Sequence, residues 1–425
     1  MSEDRVVRIG LLGFGTIGSS VFRLIEKEHD QILEGTGVDL QVTKVLEIDE
    51  RKVPPDARPG VFTSLVADIV DDPSVDMVVE VIGGTDAAFD LVEAAMRKGK
   101  NVVTANKQLL ASRGEALFNL ARDQRRHLRF EAAVAGAVPI IKVMRESMIA
   151  AGLHTVYGIV NGTTNYILSR MYNEEGGYTE ILAEAQRLGY AEADPTADVG
   201  GGDAAAKMAI LASIAFHSRV TLGDVSYSGI EGISLDDVRY AKELGFVAKL
   251  IGAARLIDNK VSVRVFPALL PAVHPLASIS GSNNAIFLQG DAIGEIMLMG
   301  PGAGGVPTAT AVVSDIISIA NTKDVGFLQS CSCYRHLDLY PADEVESAFF
   351  IRVNVADQAG VLAQIASAFG EHGVSIASMI QKGRGDEAEL VLITHPTSEK
   401  QFFAAVQRAR SLVCCKSAPM TLRVL

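Results

Sequence analysis

The chain has 425 residues, 48% hydrophobic and 21% charged, with a formal net charge of −12 at pH 7. That length accommodates two or three domains with a sizeable core. The acidic balance argues against a general binder of nucleic acid or anionic membranes, and no apolar run is long enough to span a bilayer.

The charged start, M-S-E-D-R, runs straight into a β-rich stretch from Val6 to Leu12, unlike a secretory leader. G-F-G-T-I-G follows (Gly13, Phe14, Gly15, Thr16, Ile17, Gly18), then a helical pattern from Ser19 to Leu33. Strand, glycine turn and helix are the context a dinucleotide fingerprint needs. Gly13 permits the tight turn, Gly15 lets the pyrophosphate approach the backbone, and Gly18 lets helix pack on strand. The helix start then faces the phosphates. The next strand, Gln41 to Leu46, ends at Glu47-Ile48-Asp49. An acid there binds the adenosine ribose and repels a 2′-phosphate, which favours NAD, whereas Arg51 and Lys52 suit NADP. Asp76 to Ile82 reads as a buried strand ending in Gly83-Gly84-Thr85, and Asp86 to Lys98 as its return helix. Asn101 to Thr104 is a strand closed by Ala105-Asn106-Lys107, and Leu128 to Ala133 is the next. Functional groups in open α/β sheets gather outside the carboxyl ends of strands, where Gly83, Thr104 and Lys107 fall.

Pro139 and the small residues of Glu131 to Ile141 make a bend. A strand from Thr155 to Val160 leads into Asn161-Gly162-Thr163-Thr164-Asn165, which opens a helix whose free N–H groups suit a carboxylate. After an amphipathic helix from Thr179 to Leu188 comes G-Y-A-E-A-D-P-T-A-D-V-G-G-G-D-A-A-A-K, residues 189 to 207. This run crowds Glu192, Asp194, Asp198 and Asp203 with Tyr190 and Lys207 between two helical patterns. Gly200, Gly201 and Gly202 break the chain before Asp203, a good N-cap for a helix from Ala204 to Phe216. Lys207, four residues on, shares the face of Asp203, at the end of a helix that disfavours a positive charge. An amine buried there becomes fit for proton exchange. One such pair alone would also suit a solvated surface. Val261 to Leu269 and Ile286 to Gly290 alternate as strands of a mixed sheet, and a glycine-rich segment from Gly300 to Thr308 opens a helix from Ala309 to Asn321.

The run from Ala185 to Lys207 resembles the signature of homoserine dehydrogenase at Asp194, Pro195, Asp198, Gly201, Asp203 and Lys207. The resemblance covers nearly the whole chain. It implies NAD(P)-dependent interconversion of aspartate 4-semialdehyde and homoserine, in threonine, methionine and isoleucine biosynthesis. It also implies Lys207, Lys107 and Asp203 as catalytic residues, and a substrate pocket lined by Glu192, Asp198, Tyr190, Gly162 and Thr163. An amino-acid aldehyde wants carboxylates for its ammonium, N–H donors or a lysine for its carboxylate, and a proton source at its oxygen. The resemblance further implies that Gly302 and Gly304 return to the cofactor. The carbonyls of Val134, Gly136 and Val138, with Glu131 nearby, would hold a structural sodium or potassium ion, although Ala135 and Ala137 stand where glycine is frequent. The mixed sheet would mediate a homodimer or homotetramer.

Thr322 to Ser347 reads as a linker carrying Cys331 and Cys333. With Cys414 and Cys415 these match neither zinc spacing nor a disulfide scaffold, so reduced thiols in a cytoplasmic chain are expected. Beyond it, strands at 349–355, 374–381, 389–394 and 420–424 alternate with helices at 362–372 and 399–410. This βαββαβ order resembles the ACT domain, an amino-acid-binding module, with Ala359 where its D-x-P-G-V-L string has proline. The implied effector is threonine. A dimerising module without ligand fits the same pattern. The expected fold class is α/β: a Rossmann nucleotide-binding domain (1–137 plus 301–325), an α+β catalytic and dimerisation domain with a mixed sheet (138–300), a linker (326–348) and an ACT domain (349–425). The rival readings are another ACT-containing dehydrogenase, of prephenate or 3-phosphoglycerate type, and a non-catalytic amino-acid sensor. Neither rival dehydrogenase explains the run from Gly189 to Lys207, and the two lysines with all three fingerprint glycines speak against the sensor.

Overall fold

The computed structural model describes residues 5–322 and 333–425; Cys331 and residues 326–332 of the expected linker lie outside them. The chain forms two compact units. One comprises Met1–Val160, Ala204–Val225 and Ser282–Leu337, the other Asn161–Asp203, Ser226–Gly281 and Asp338–Leu425.

In the first unit six parallel strands run in the spatial order Phe62–Thr63, Val38–Leu46, Arg5–Leu12, Met77–Glu80, Asn101–Thr104, Leu128–Arg129. This is the dinucleotide-fold order, whose crevice opens beyond the carboxyl ends of Arg5–Leu12 and Met77–Glu80. Near-continuous apolar strands bury Ile9, Leu11, Val79 and Val103 against helix residues Val21, Ile25, Val312 and Ile316. The helix expected over 19–33 is two helices, Thr16–Lys27 and His29–Thr36. The break at Glu28 turns His29 so that its ring reaches Asp39 at 3.0 Å. The strand expected to reach Ala133 stops at Arg129, because the Asp315 carboxylate takes the N–H of Glu131, which starts a short 3₁₀ turn. Leu153–Ile159 and Gly294–Pro301 both pair antiparallel with Asn283–Gly290 between them.

The second unit is built on a mixed sheet. Phe246–Ile257 and Lys260–Pro271 pair antiparallel along their whole length across Asp258-Asn259, both left-handed at φ 48° and 59°. That is the conformation a two-residue hairpin loop requires. Met420–Val424 runs parallel to Lys260–Pro271 and antiparallel to Glu346–Ala356; Glu387–Thr394 and Ile376–Arg384 complete the sheet. Helices Val361–Gly370 and Glu399–Arg410 cover this last part, giving the expected βαββαβ module with Phe349 stacked on Phe402 in its core. Cys414 and Cys415 are free thiols, whereas Cys333 is disulfide-bonded, against the expectation of four reduced thiols. Among the described residues no helix is long and apolar enough to cross a membrane.

Candidate active site

Three glycines shape the nucleotide end of the first unit. Gly13 is left-handed (φ 104°), and a Cβ on Gly18 would sit 2.1 Å from the Gly13 carbonyl oxygen, so that turn and helix touch backbone to backbone. Gly15 has nothing within 4 Å of a Cβ position, and no side chain caps the helix that starts at Thr16. Open space in front of uncapped N–H groups is what a pyrophosphate needs, so these residues fit a dinucleotide. Phe14 is buried edge-on against Phe22 and Phe62, so its side chain belongs to the core and only its backbone faces the loop. Gly304 is left-handed (φ 116°), and a Cβ on Gly305 would meet Ser20 Oγ at 2.4 Å. The second glycine segment therefore closes on the first helix. Gly302 lies against the Asn284 carboxamide, 2.1 Å from where its Cβ would be.

Glu80 organises the neighbouring strand ends. Fully buried, it accepts from the Thr104 hydroxyl and from the N–H groups of Ile82 and Gly83, and burial raises its pKa. Thr104 Oγ1 accepts in turn from the Asn106 N–H, and Asn106 Nδ2 donates to Gly84 O at 2.6 Å while Oδ1 caps Leu109 N. Lys107 leaves this locked corner half-buried at the first position of helix Lys107–Asp123. Lys207 is buried on helix Gly202–Ala215, and its Nζ donates to the Val160 carbonyl at 2.8 Å.

In the second unit the Asn161 side chain gathers Asp198 and Asp203. Asn161 Nδ2 donates to Asp198 Oδ1 at 2.7 Å and Asp203 Oδ2 at 2.9 Å, while its Oδ1 caps Thr164 N at 2.9 Å. Thr163 Oγ1 bonds the Tyr190 carbonyl (2.6 Å) and Asp198 Oδ2 (3.2 Å), and the Tyr190 ring lies 4.9 Å from that of Tyr166. The acidic run is thereby folded onto the start of helix Gly162–Glu174, beside Gly162 and Thr163. Asp203 lies inside the first turn of its helix, not at the cap as expected. Glu192 is exposed on the loop above.

The loop is visible in the sequence, but Asn161 as its clamp and Glu80 as the organiser of the strand ends are not. The signals were a side-chain amide just before G-T-T and a lone acid ending the apolar run M-V-V-E.

The glycine-shaped crevice of the first unit defines a dinucleotide-binding protein. The homoserine dehydrogenase family model matches residues 139–317, its NAD-binding domain model residues 13–131, and the ACT model residues 349–414. Homoserine dehydrogenase of Bacillus subtilis is 41% identical over 99% of this chain and 98% of its own; that of Corynebacterium glutamicum is 42% identical over 98% and 95%. The crystal structure of a homoserine dehydrogenase from Thiobacillus denitrificans superposes with a TM-score of 0.95 at 37% identity, covering 99% of this chain and 98% of that one. The chain belongs to the homoserine dehydrogenase family, whose members act on a CH–OH group.

Proposed function

We propose that Lys207 exchanges the proton at the substrate's carbonyl or hydroxyl oxygen, that Glu192 and Asp198 receive the ammonium, and that the helix start at Gly162 and Thr163 receives the carboxylate. The observation that carries this reading is the Asn161 clamp, which fixes two carboxylates and the helix start as one group. When bound, the nicotinamide supplies a hydride to the aldehyde carbon of aspartate 4-semialdehyde, or accepts one from homoserine. The Val160 carbonyl holds the Lys207 amine by one of its N–H bonds and so aims the proton. Lys107, at a strand end, is the second amine available for the same proton or for the carboxylate, and Asp203 orients Asn161. The division into nucleotide, catalytic and ACT domains goes with these roles, as do a homodimer or homotetramer and a threonine effector. The direct test is absorbance of the reduced nicotinamide on mixing folded protein, homoserine and NAD or NADP. No homoserine-dependent signal with either cofactor would falsify the reading.

NAD is the preferred cofactor in this reading. Asp49 holds the Arg51 guanidinium in a two-point contact at 2.8 and 2.9 Å, which engages one of the two cations that suit a 2′-phosphate. The Glu47 side chain is buried at the strand end, 3.9 Å from Lys52. The expected result is a higher kcat/KM with NADH than with NADPH, with the gap narrowing in Glu47→Gln.

Sodium or potassium fits the bend at 134–138. Ala135 and Gly136 are both left-handed (φ 59° and 56°), which turns successive carbonyls, and a Cβ on Gly136 would strike the Gly302 carbonyl at 2.7 Å. Val134, Gly136 and Val138 would hold the ion by their carbonyls. Glu131 faces the backbone N–H groups of Ile141 and Lys142. Burial, then the nearby Asp315 carboxylate, push Glu131 up to about 7. An acid raised in the folded state binds more protons there than when unfolded, so its contribution falls as pH rises from about 4.5 to 7 and is then level. Thermal melts should show Tm falling across that window by the equivalent of roughly 3 kcal/mol from this group. Glu131→Gln should flatten the slope, and added sodium or potassium should raise Tm at pH 8. An unchanged slope in the variant would remove Glu131 as its source.

A further inference from the structure

Lys249 sits in the middle of strand Phe246–Ile257, 2% exposed. Its ammonium donates to Asn165 Oδ1 at 2.9 Å, to Ser169 Oγ at 3.2 Å and to the Ile279 carbonyl. Three neutral acceptors use the three N–H bonds of an ammonium, and no carboxylate is among them. Burial pushes its pKa down to about 8, so at neutral pH the head remains mostly protonated. A buried cation whose three acceptors are all neutral is a poor way to fill a core, where an apolar side chain packs at lower cost.

Its acceptors show what the charge serves. Asn165 and Ser169 are four apart on one face of helix Gly162–Glu174, and Asn165 belongs to the first turn, its N–H bonded to the Asn161 carbonyl at 3.3 Å. Lys249 is therefore tied, through one side chain, to the helix start that Asn161 clamps. That start has an electrostatic conflict: Asp198 and Asp203 both bond Asn161, and their negative charge opposes an approaching carboxylate. A buried ammonium on the inner face of the same helix offsets them, with the sign of the helix N-terminus and little screening by solvent.

We propose that Lys249 is a positioning residue for the substrate's carboxylate: it fixes the first turn of helix Gly162–Glu174 through Asn165 and supplies positive charge behind that turn's N–H groups. This rests on the reading that the helix start at Gly162 and Thr163 receives the carboxylate.

The test compares wild-type protein with Lys249→Met on two substrates, homoserine and its carboxamide, homoserinamide, which lacks the negative charge. Loss of a charge-assisted interaction should raise the KM for homoserine roughly 10- to 100-fold, with kcat and the KM for NAD little changed. The KM for homoserinamide should move far less. Equal losses on both substrates, or none on either, would overturn the proposal and leave Lys249 a core residue. If wild-type protein does not distinguish homoserine from the amide, the carboxylate reading itself fails, and the proposal with it. Should Lys249→Met not fold, Asn165→Ala keeps the lysine and cuts its tie to the first turn. The same selective loss on homoserine is expected there, and a loss equal on both substrates counts against the proposal.

Discussion

Lys207→Met is expected to lower kcat by roughly 10²- to 10⁴-fold, the range that a positioned proton donor contributes. Methionine matches the length of the lysine stem and packs well in an apolar helix, so the change removes the amine without opening a large cavity. The Val160 carbonyl loses its 2.8 Å donor. An unsatisfied buried acceptor costs about 1–3 kcal/mol, which lowers Tm but leaves the fold in place. Affinity for NADH, followed by its fluorescence, should hardly change, because the cradle of Gly13, Gly15 and Gly18 is made of other elements. The informative result is therefore a split: turnover collapses while cofactor binding and the circular dichroism spectrum persist. Turnover within tenfold of wild type would return Lys207 to a structural role and shift proton exchange to Lys107.

The features legible in the sequence were those a short stretch of chain fixes by itself. A glycine that must lack a Cβ beside a carbonyl, as Gly18 does, is marked by its spacing from Gly13. The acid-rich loop was visible because its residues are contiguous from Gly189 to Lys207. The interior polar groups were not legible. Glu80 and Lys249 end or interrupt apolar runs, M-V-V-E and F-V-A-K-L-I, and there a charged residue looks like a strand's solvent side. Their partners come from distant segments: Glu80 meets Thr104, and Lys249 meets Asn165 and Ile279. Whether a charge is buried with acceptors or left in water is decided by that long-range pairing, which periodicity does not encode. The junction of the ACT module was hidden for the same reason. The strand at 420–424 was expected as the last strand of a separate module, yet it also pairs with Lys260–Pro271.

That junction yields the second large effect: Arg352→Met should destabilise the second unit by about 3 kcal/mol or more. Arg352, on strand Glu346–Ala356 of the ACT module, donates to Asp237 at 2.6 Å, to Glu389 at 3.2 Å and to the Ser234 hydroxyl at 3.1 Å. Asp237 and Ser234 form the capping box of helix Leu235–Glu243, and Glu389 also accepts from the Tyr240 hydroxyl on that helix at 2.6 Å. Asp237 is 1% exposed and Glu389 6%. Methionine fills the stem's volume but leaves these two carboxylates buried without their cation, which costs more than the ion pair contributes on balance. A second cluster, in which Arg264 and Arg423 both donate to Glu399, ties the same two regions together. The module is thus welded to its neighbours by buried charge as well as by shared strands, so its loosening should be felt beyond it. Urea denaturation of wild type and Arg352→Met measures the change. A double replacement, Arg352→Met with Asp237→Asn, should recover part of the loss, because one of the two stranded charges is then gone while that of Glu389 stays. If the single variant unfolds at the wild-type midpoint, solvent reaches the cluster and the weld is held by the strand pairing of Met420–Val424 alone.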